Sequence, residues 1–337
     1  MSAGPRVFVT GATGFIGTKL VQELVRRGCS VRALTRVSSR TDGLDGERVE
    51  LVQGNILDPD SLRRGMEGCE QVYHLAAYAK NWARERKVFF EQNVNGTRHV
   101  LSAAKACGVK RLVATSSIVT LGPTAPGVVG DENMTRITQR FFTEYEESKT
   151  VAEQEILQWV ARGLPAVIVN PTRVYGPGKL TEGNSVTLMI DQYTRGRLPV
   201  LVNGGVNVGN YAFVDDLVRG HVLAMEKGRI GERYILGGEG VSLKGFFQLV
   251  DEATGRRHWQ VSLPPWAALA FGRFEKLKAE WFGIYPQITP GWAETFLADW
   301  AYSCAKAERE LGYTITPLRE GIRATCEWLR AERGEGK

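Results

Sequence analysis

A glycine-rich turn between a strand and a helix constrains the fold of this chain more than any other sequence feature. Residues 7–10 form a short apolar run, residues 11–17 read GATGFIG, and apolar residues then recur at helical spacing until Gly28. Glycine is needed where a chain turns tightly and where backbone must approach a ligand or a neighbouring strand. The helix N-terminus that follows offers free amides and a positive dipole end to phosphate groups. We therefore predict that this turn binds the pyrophosphate of a dinucleotide.

Apolar strands alternate with helical segments over the first half of the chain. Strand patterns follow at residues 30–36, 49–55, 71–76, 109–117 and 165–171. Long helical patterns cover residues 86–107 and 144–162. Strands that are nearly all apolar and alternate with helices indicate a parallel sheet covered on both faces. The predicted fold class is a doubly wound α/β (Rossmann) domain, whose ligand lies outside the carboxyl ends of the strands.

The pattern changes after Pro171, and from Ser242 onward the chain is mainly helical and rich in tryptophan. We predict an NADP(H)-binding domain over residues 1–170, into which residues 208–238 thread back. Residues 171–207 and 239–333 are predicted to form a smaller, mainly helical substrate lobe. A chain of 337 residues is long enough for both units.

Charge and cysteine content narrow the class of protein. The net charge is +6, but basic residues are scattered rather than gathered in a stripe, so we expect no nucleic-acid partner. The five cysteines lie far apart, which favours a reducing, cytoplasmic location. The start of the sequence has no signal-peptide pattern and no apolar run reaches the roughly 20 residues needed for a membrane span, so we expect neither. No His, Cys or carboxylate cluster has zinc spacing, so no metal is expected.

The end of the second strand pattern bears on the choice of nicotinamide cofactor. An acidic residue there would bind the ribose 2′-hydroxyl of NAD(H), whereas an arginine would pair with the 2′-phosphate of NADP(H). The sequence has Arg36 at this place, and Ser38, Ser39 or Arg40 could assist it. The alternative is an ordinary surface arginine. We predict a preference for NADP(H), with NAD(H) as the other possibility.

Tyr145 and Lys149 lie four residues apart in a predicted helix and therefore share one face. A phenol has a pKa near 10, too high for ready proton exchange at neutral pH, and a nearby ammonium lowers it. Such a pair is often merely solvated, so the chemistry needs a third group. Ser117, at the end of the fifth strand pattern, could hold a substrate oxygen. The adjacent hydroxyls of Ser116 and Thr115 leave the choice open.

Taken in order, the motifs resemble those of the extended short-chain dehydrogenase/reductase family over nearly the whole chain. The motifs are TGATGFIG from Thr10, YHLAA from Tyr73, NVNGT from Asn93, TSSIVTLG from Thr115, YEESK from Tyr145 and NPTRVYGPG from Asn170. The resemblance implies that Tyr145 is the acid/base and that Lys149 lowers its pKa and holds the nicotinamide ribose. It also implies that Ser117 orients substrate and that Asn93 lies near the nicotinamide.

The glycine turn, the cofactor argument and the resemblance together assign a set of residues to the cofactor. They are Gly11, Thr13, Gly14, Phe15, Ile16, Gly17, Arg36, Asn55, Ile56, Leu75, Ala76, Ala77, Thr115, Tyr145, Lys149, Pro171, Thr172 and Val174.

Two departures from the family pattern bear on the ligands. Many members have aspartate where this chain has Asn55, and many nucleotide-sugar enzymes have a diphosphate-clamping arginine where this chain has Asn210. The chain is most similar to the dihydroflavonol-reductase and 3β-hydroxysteroid-dehydrogenase-like branch. A homodimer is an expectation from the resemblance alone.

Candidate substrate residues come from two places. Tyr78 and Trp82 follow the fourth strand pattern and are expected near the cleft. The C-terminal aromatics could line an apolar pocket, but we expect most to be core residues, because aromatic side chains supply much core area. These aromatics are Trp259, Trp266, Phe271, Phe274, Trp281, Phe282, Tyr285, Trp292 and Trp300. His74 is expected to pack within its strand.

Three functions are compatible with these residues. The first is NADPH-linked interconversion of an apolar or aromatic ketone or aldehyde and its alcohol. The second is epimerase or dehydratase action on a nucleotide sugar without net cofactor turnover, for which Lys179, Arg195 or Arg197 would bind the diphosphate. The third is a non-catalytic dinucleotide sensor. Its expected sign is a damaged Tyr/Lys/Ser set, whereas all three residues are present here.

Overall fold

The computed structural model describes residues 4–197 and 200–334. Its strands, in chain order, are β1 (Arg6–Thr10), β2 (Ser30–Thr35), β3 (Val49–Gln53), β4 (Gln71–His74), β5 (Arg111–Thr115), β6 (Ala166–Pro171), β7 (Arg173–Tyr175), β8 (Val200–Val202), β9 (Val208–Phe213), β10 (Arg233–Leu236), β11 (Glu239–Ser242) and β12 (Val261–Leu263).

The α-helices, in chain order, are α1 (Phe15–Arg26), α2 (Pro59–Met66), α3 (Lys87–Phe90), α4 (Gly96–Ala106), α5 (Glu144–Ala161), α6 (Ser185–Thr194), α7 (Val214–Lys227), α8 (Leu243–Thr254), α9 (Pro265–Phe282), α10 (Pro290–Phe296), α11 (Ala305–Leu311) and α12 (Leu318–Glu332).

A seven-stranded parallel sheet with the order β10-β6-β5-β4-β1-β2-β3 forms the centre of the molecule. In its register Val9 pairs with Ala33 of β2 on one side and with Tyr73 of β4 on the other. The chain order reverses between β1 and β4. In a sheet of this kind, the reversal opens a crevice at the carboxyl ends of the strands. The predicted doubly wound α/β fold is confirmed.

The central sheet contributes side chains to two separate cores. Val7 and Val9 of β1 pack in a cluster with α1 and α7, whereas Phe8 packs in a second cluster with α2, α4 and α5. This alternation follows from the two-residue period of a β-strand. Because helices cover both faces, the strands are apolar almost throughout, as their sequence patterns indicated.

The C-terminal part has a core of its own, built around two small sheets of order β11-β9-β7 and β12-β8. Tyr211 of β9 stacks on Phe246 of α8 with ring centroids 4.3 Å apart, and Tyr193 of α6 stacks on Phe247 at 4.1 Å. Helix α12 closes this core with Ile322 and Leu329. The lobe thus contains more strand pairing than its helical sequence pattern indicated.

The segment 208–238 divides between the two parts of the molecule. Helix α7 packs on α1 and β10 pairs with β6 at the edge of the central sheet. Strand β9 instead pairs with β7 and β11 in the small sheet. Part of 208–238 thus joins the central sheet through β10, while β9 pairs in the small sheet, and these partners are set by long-range pairing.

The predicted helix over residues 86–107 is continuous but irregular. Helix α3 leads into a π-helical turn at Glu91–Asn95, which leads into α4. Such turns insert one residue into the helical ladder and often occur at functional sites. Among the helices of the described residues, none is both long and apolar enough to cross a bilayer.

The packing of the C-terminal core can be tested by comparing a buried phenylalanine with an exposed one. Phe246 is fully buried against Tyr211, so Phe246→Ala should lower the free energy of unfolding by about 3–5 kcal/mol. Phe274→Ala is the matched control, because its side chain is 62% exposed and its loss should cost less than about 1 kcal/mol. Urea denaturation followed by circular dichroism measures both. Equal losses would contradict the packing described here.

Candidate active site

One cavity of about 1800 Å³ lies between the carboxyl ends of the central strands and the C-terminal lobe. All of the residues assigned to the cofactor from the sequence line it, from the glycine turn through Arg36, Tyr145 and Lys149 to Val174. Ser117 and Tyr78 also line it. The cavity therefore collects residues from six strand ends, where a doubly wound sheet binds its ligands.

The glycine turn leaves no room for side chains at two positions. Gly11 has φ +73°, and a Cβ there would lie 2.7 Å from the backbone nitrogen of Ala76. A Cβ on Gly17 would lie 2.1 Å from the carbonyl oxygen of Gly11. Gly14 precedes α1 without a capping side chain, so the first amides of the helix are open to a ligand. This cradle fits a pyrophosphate.

A second observation fits a dinucleotide at the other end of the cavity. Thr172 follows β6 and is buried, yet its Oγ1 has no hydrogen-bond partner among the described residues. Buried hydroxyls are nearly always satisfied, so an unpaired one at a cavity wall favours a polar ligand group. Pro171 and Val174 flank it on the same wall. The residues present therefore fit a nicotinamide dinucleotide.

Arg36 begins a tight turn directly after β2. Its backbone carbonyl accepts from the Ser39 amide at 2.9 Å, and its own amide donates to Ser39 Oγ at 3.3 Å. Its side chain is exposed, lines the cavity and makes no ion pair within the part of the chain that the structure describes. Asn55, on the facing wall, accepts from the Leu57 amide with its side-chain oxygen at 3.1 Å. Arg36 is therefore available to an anionic ligand group.

Tyr145 and Lys149 lie on the first two turns of α5. Thr143 begins the helix by accepting from the Glu146 amide at 3.1 Å, which places Tyr145 at the cavity wall. The Lys149 side chain runs inward, and its Nζ donates to the Thr115 carbonyl at 2.9 Å. Only 6% of Lys149 is exposed, and this burial lowers its pKa to about 8 against the opposing effect of Glu153.

The structure distinguishes the three neighbouring hydroxyls of Thr115, Ser116 and Ser117, between which the sequence alone could not choose. Thr115 Oγ1 is 2.9 Å from His221 Nε2, and Ser116 Oγ donates to Glu153. Ser117 alone interacts with the Tyr145 hydroxyl, and its Oγ accepts only a long bond, 3.4 Å, from the Val119 amide. Of the three, Ser117 is thus the hydroxyl placed beside the phenol.

The pKa of Tyr145 differs from the sequence-based expectation. Burial raises the pKa of this phenol above 10, and the Ser117 hydroxyl offsets only part of the increase. Lys149 is not among the groups that shift this pKa, and its ammonium donates to the Thr115 carbonyl. A phenol with a raised pKa is protonated at neutral pH.

Glu153 is a buried residue behind the cavity wall that sequence reasoning missed. It lies one turn beyond Lys149 on α5 and is buried. Its carboxylate accepts from Ser116, from Thr120 at 2.9 Å and from Asn170 at 2.9 Å, and it pairs with Arg233 of β10 at 3.1 Å. The only local signal was an acidic residue four positions after the lysine. Its partners come from strands distant in sequence.

Asn93 lies in the π-helical turn and does not line the cavity. Its side-chain oxygen accepts from the Tyr78 amide at 2.7 Å, and its Nδ2 donates to Ser148 Oγ at 2.9 Å. It therefore ties the loop after β4 to helix α5, between the tyrosine and the lysine. This places Asn93 behind the predicted site residues rather than among them.

The buried histidines serve packing rather than ligand binding. His74 bridges the hydroxyls of Thr10 and Thr97, and burial lowers its pKa to about 3. Burial also lowers the pKa of His221 to about 4. Within residues 4–197 and 200–334, no group of His, Cys and acidic side chains is arranged to hold a metal ion.

The C-terminal lobe gives the cavity a largely apolar wall. Its lining residues include Val186, Met189, Leu243, Phe247, Leu263, Phe271, Ile288, Trp292, Phe296 and Trp300. Arg173 is a cation on this wall that the sequence did not single out, and its guanidinium lies 5.0 Å from the Phe296 ring centroid. Trp82, expected here, instead packs edge-on against Tyr285 at 6.0 Å.

The expectation that most C-terminal aromatics are core residues is wrong. Only Trp300 is buried, while seven of the nine are exposed. The exposed residues are Trp259, Trp266, Phe271, Phe274, Trp281, Phe282 and Tyr285. Aromatic character alone does not distinguish a core position from a surface one, since that depends on which helix face meets the rest of the lobe.

The candidate diphosphate-binding residues do not form a cluster. Asn210 is buried, and its side chain bonds to Gly238 and to the Tyr302 carbonyl. Lys179 donates to the Thr13 carbonyl at 3.3 Å, and Arg195 pairs with Asp191 at 3.2 Å. Of the three cations considered from the sequence, only Arg197 lines the cavity.

Comparison with known proteins agrees with this geometry. The model of the NAD dependent epimerase/dehydratase family matches residues 7–237. A putative dihydroflavonol 4-reductase of Synechocystis is 33% identical over 96% of this chain and 94% of its own length. A 3 beta-hydroxysteroid dehydrogenase/Delta 5→4-isomerase of Mycobacterium tuberculosis is 30% identical over 96% of this chain and 89% of its own.

A solved structure extends the similarity to three dimensions. The crystal structure of gox2253 superposes with a TM-score of 0.84 at 33% identity, covering 99% of this chain and 100% of that one. The resemblance noted from the motifs is thereby confirmed. The chain belongs to the NAD-dependent epimerase/dehydratase family, the extended short-chain dehydrogenases/reductases, and is an NAD(P)-dependent oxidoreductase.

Proposed function

We propose that this enzyme interconverts an apolar or aromatic ketone or aldehyde and its alcohol, with NADP(H) as cofactor. The observation that carries the proposal is the meeting of Tyr145, Ser117 and Lys149 in a cavity whose opposite wall is apolar. Apolar pockets with a few convergent polar groups are typical of small-molecule sites. The name of the mycobacterial relative, which refers to a hydroxysteroid, supports an apolar substrate.

Each side chain has a distinct part in the proposed reaction. Ser117 donates to the substrate oxygen and holds it beside the phenol. Tyr145, protonated because burial raises its pKa, gives its proton to that oxygen during reduction and takes it back during oxidation. The bound nicotinamide supplies or accepts the hydride. Lys149, whose ammonium lies at the Thr115 carbonyl, holds the nicotinamide ribose, the role that the resemblance implies.

The nucleotide-sugar alternative has less support. Such a substrate needs a diphosphate clamp, and the hydrogen-bonding capacity of Asn210 is used within the protein. Arg173 and Arg197 line the cavity but come from different elements, and Arg173 packs against aromatic rings. Screening ketones, aldehydes and nucleotide sugars for NADPH consumption separates the two, because an epimerase or dehydratase consumes none.

The phenol can be removed with little change in shape. Tyr145→Phe should lower the turnover of carbonyl reduction by about 10²–10⁴-fold, because the proton donor is lost, and should leave cofactor affinity within about twofold. Tyr234→Phe is the control, since its hydroxyl bonds to Glu310 and neither residue lines the cavity. Stopped-flow turnover and fluorescence titration of NADPH provide the measurements. Retained turnover in Tyr145→Phe would exclude the assigned role.

Cofactor selectivity should depend on Arg36. Arg36→Asp should raise the KM for NADPH by about 10- to 100-fold, the size of a lost charge-assisted pair, and should change the KM for NADH far less. Arg323→Asp alters the net charge equally but lies on α12 away from the cavity wall, so it serves as control. Steady-state kinetics with NADPH and with NADH measures these changes in KM. Parallel changes for NADPH and NADH would refute the assignment.

Glu153 should set the alkaline limit of activity in the free enzyme. Lys149 has a pKa near 8, so its charge is present below that pH and is lost as pH rises through it. The Glu153 carboxylate raises this pKa, and its removal in Glu153→Gln should move the alkaline fall of kcat/KM to lower pH. Glu155→Gln, on the same helix but paired with Arg98, should leave the profile unchanged. If Glu153→Gln lowers kcat/KM equally at every pH without shifting the alkaline fall, Glu153 has a structural role instead.

A further inference from the structure

Helix α9 presents an unusual distribution of side chains. Its buried positions are Ala268, Gly272, Glu275 and Ala279, which recur at helical spacing. The opposite face holds Trp266, Phe274, Leu277 and Trp281, each more than half exposed. The small residues therefore face the protein and the large apolar ones face outward. Large apolar side chains that a helix turns away from its own protein indicate a second apolar environment.

Neighbouring residues extend this face into a patch. Phe282, Ile284 and Tyr285 are exposed directly after α9 in the chain, and Trp259, before β12, is 76% exposed. Isolated exposed apolar residues are normal, but nine of them within residues 259–285 favour an interaction site. We call the exposed residues Trp259, Trp266, Phe271, Phe274, Leu277, Trp281, Phe282, Ile284 and Tyr285 the aromatic patch.

The charges around the aromatic patch are predominantly positive. Residues 256–285 contain five basic and two acidic residues. Glu275 is buried and paired with Lys278, and Glu280 lies 3.9 Å from Lys276. Arg256, Arg257 and Arg273 are exposed beside the patch and make no ion pair within the described part of the chain. Apolar side chains bordered by cations are the pattern of helices that lie in the surface of an anionic bilayer.

We propose that the aromatic patch docks this enzyme on an anionic phospholipid surface, with α9 lying along the interface. A second copy of the chain is a poorer occupant, because a two-fold interface through the patch would bring like basic residues together. Spanning is excluded for α9, which is not apolar enough to cross a bilayer. Tryptophan at both ends of the helix suits the polar boundary of a membrane, where its ring is apolar and its N–H is wet.

The same helix also lines the active-site cavity. Ala267, Ala268 and Phe271 face the cavity, and Phe271 is at once a lining residue and part of the aromatic patch. The cavity thus adjoins the proposed membrane surface. If the substrate is apolar, which rests on the proposed function, it passes from the lipid to the cavity past Phe271 without crossing water.

Vesicle sedimentation of the full chain tests the docking without any substrate. The wild type should bind vesicles of phosphatidylcholine and phosphatidylglycerol at least about tenfold more strongly than vesicles of phosphatidylcholine alone. The triple variant Trp266→Gln, Phe274→Gln, Trp281→Gln should lose binding by at least about tenfold. The control Val129→Gln, Ile137→Gln, Ile230→Gln removes exposed apolar residues elsewhere and should bind as the wild type does.

A charge variant and a spectroscopic measurement complete the test. Arg256→Gln, Arg257→Gln, Arg273→Gln should bind the anionic vesicles no better than the neutral ones. Brominated phospholipids should quench the tryptophan fluorescence of the unaltered protein, which decides the matter even where a variant fails to fold.

Three results would overturn the proposal. The first is that the wild type does not bind vesicles, and the second is that a folded patch variant binds them as strongly as the wild type does. The third is that the wild type is a dimer, the patch variant is a monomer, and neither binds vesicles. The last would assign the patch to a second copy of the chain. None of these results depends on turnover, so failure of the docking and failure of the proposed reaction are distinguishable.

Discussion

The buried ammonium of Lys149 is the interaction on which the architecture of the site depends. Burying a charge costs several kcal/mol unless it is paired or hydrogen-bonded, and here the Thr115 carbonyl and the Glu153 carboxylate provide that compensation. Glu153 in turn needs Asn170 of β6 and Arg233 of β10. The site therefore forms only when the strands are assembled in the order β10-β6-β5, and its electrostatics depend on the whole sheet.

This dependence explains what the sequence could predict. The glycine turn, the apolar strands and the Tyr145–Lys149 spacing are local features, and their meaning follows from a few consecutive residues. Glu153 and Arg173 are different, because their importance comes from partners brought together by long-range pairing. The same reason accounts for β9, which reads as a strand in the sequence but pairs with β7 and β11 rather than with the central sheet.

The two walls of the cavity have separate physical tasks. The wall from the central sheet carries hydroxyls, an ammonium and open amides, which suit an anionic dinucleotide and a proton transfer. The wall from the C-terminal lobe carries many apolar side chains, and the hydrogen bonds of its residue Asn210 are made within the fold. The apolar part of this wall is the reason for the apolar substrate that we propose. In the proposed reaction, the C-terminal lobe would set substrate selectivity, and residues at the edge of the central sheet would carry out proton transfer.

The aromatic side chains of α9 are exposed, whereas those of the C-terminal core are buried. In the C-terminal core, Phe246 and Tyr211 are buried face to face, and their burial stabilises the lobe. On α9, small residues occupy the buried face, and the large ones contribute little to folding because they remain in water. Exposed tryptophan also promotes protein association, so its presence on the surface favours a binding role in addition to folding. Because α9 contributes to both the cavity wall and the patch, the proposed membrane docking would place the cavity beside the bilayer.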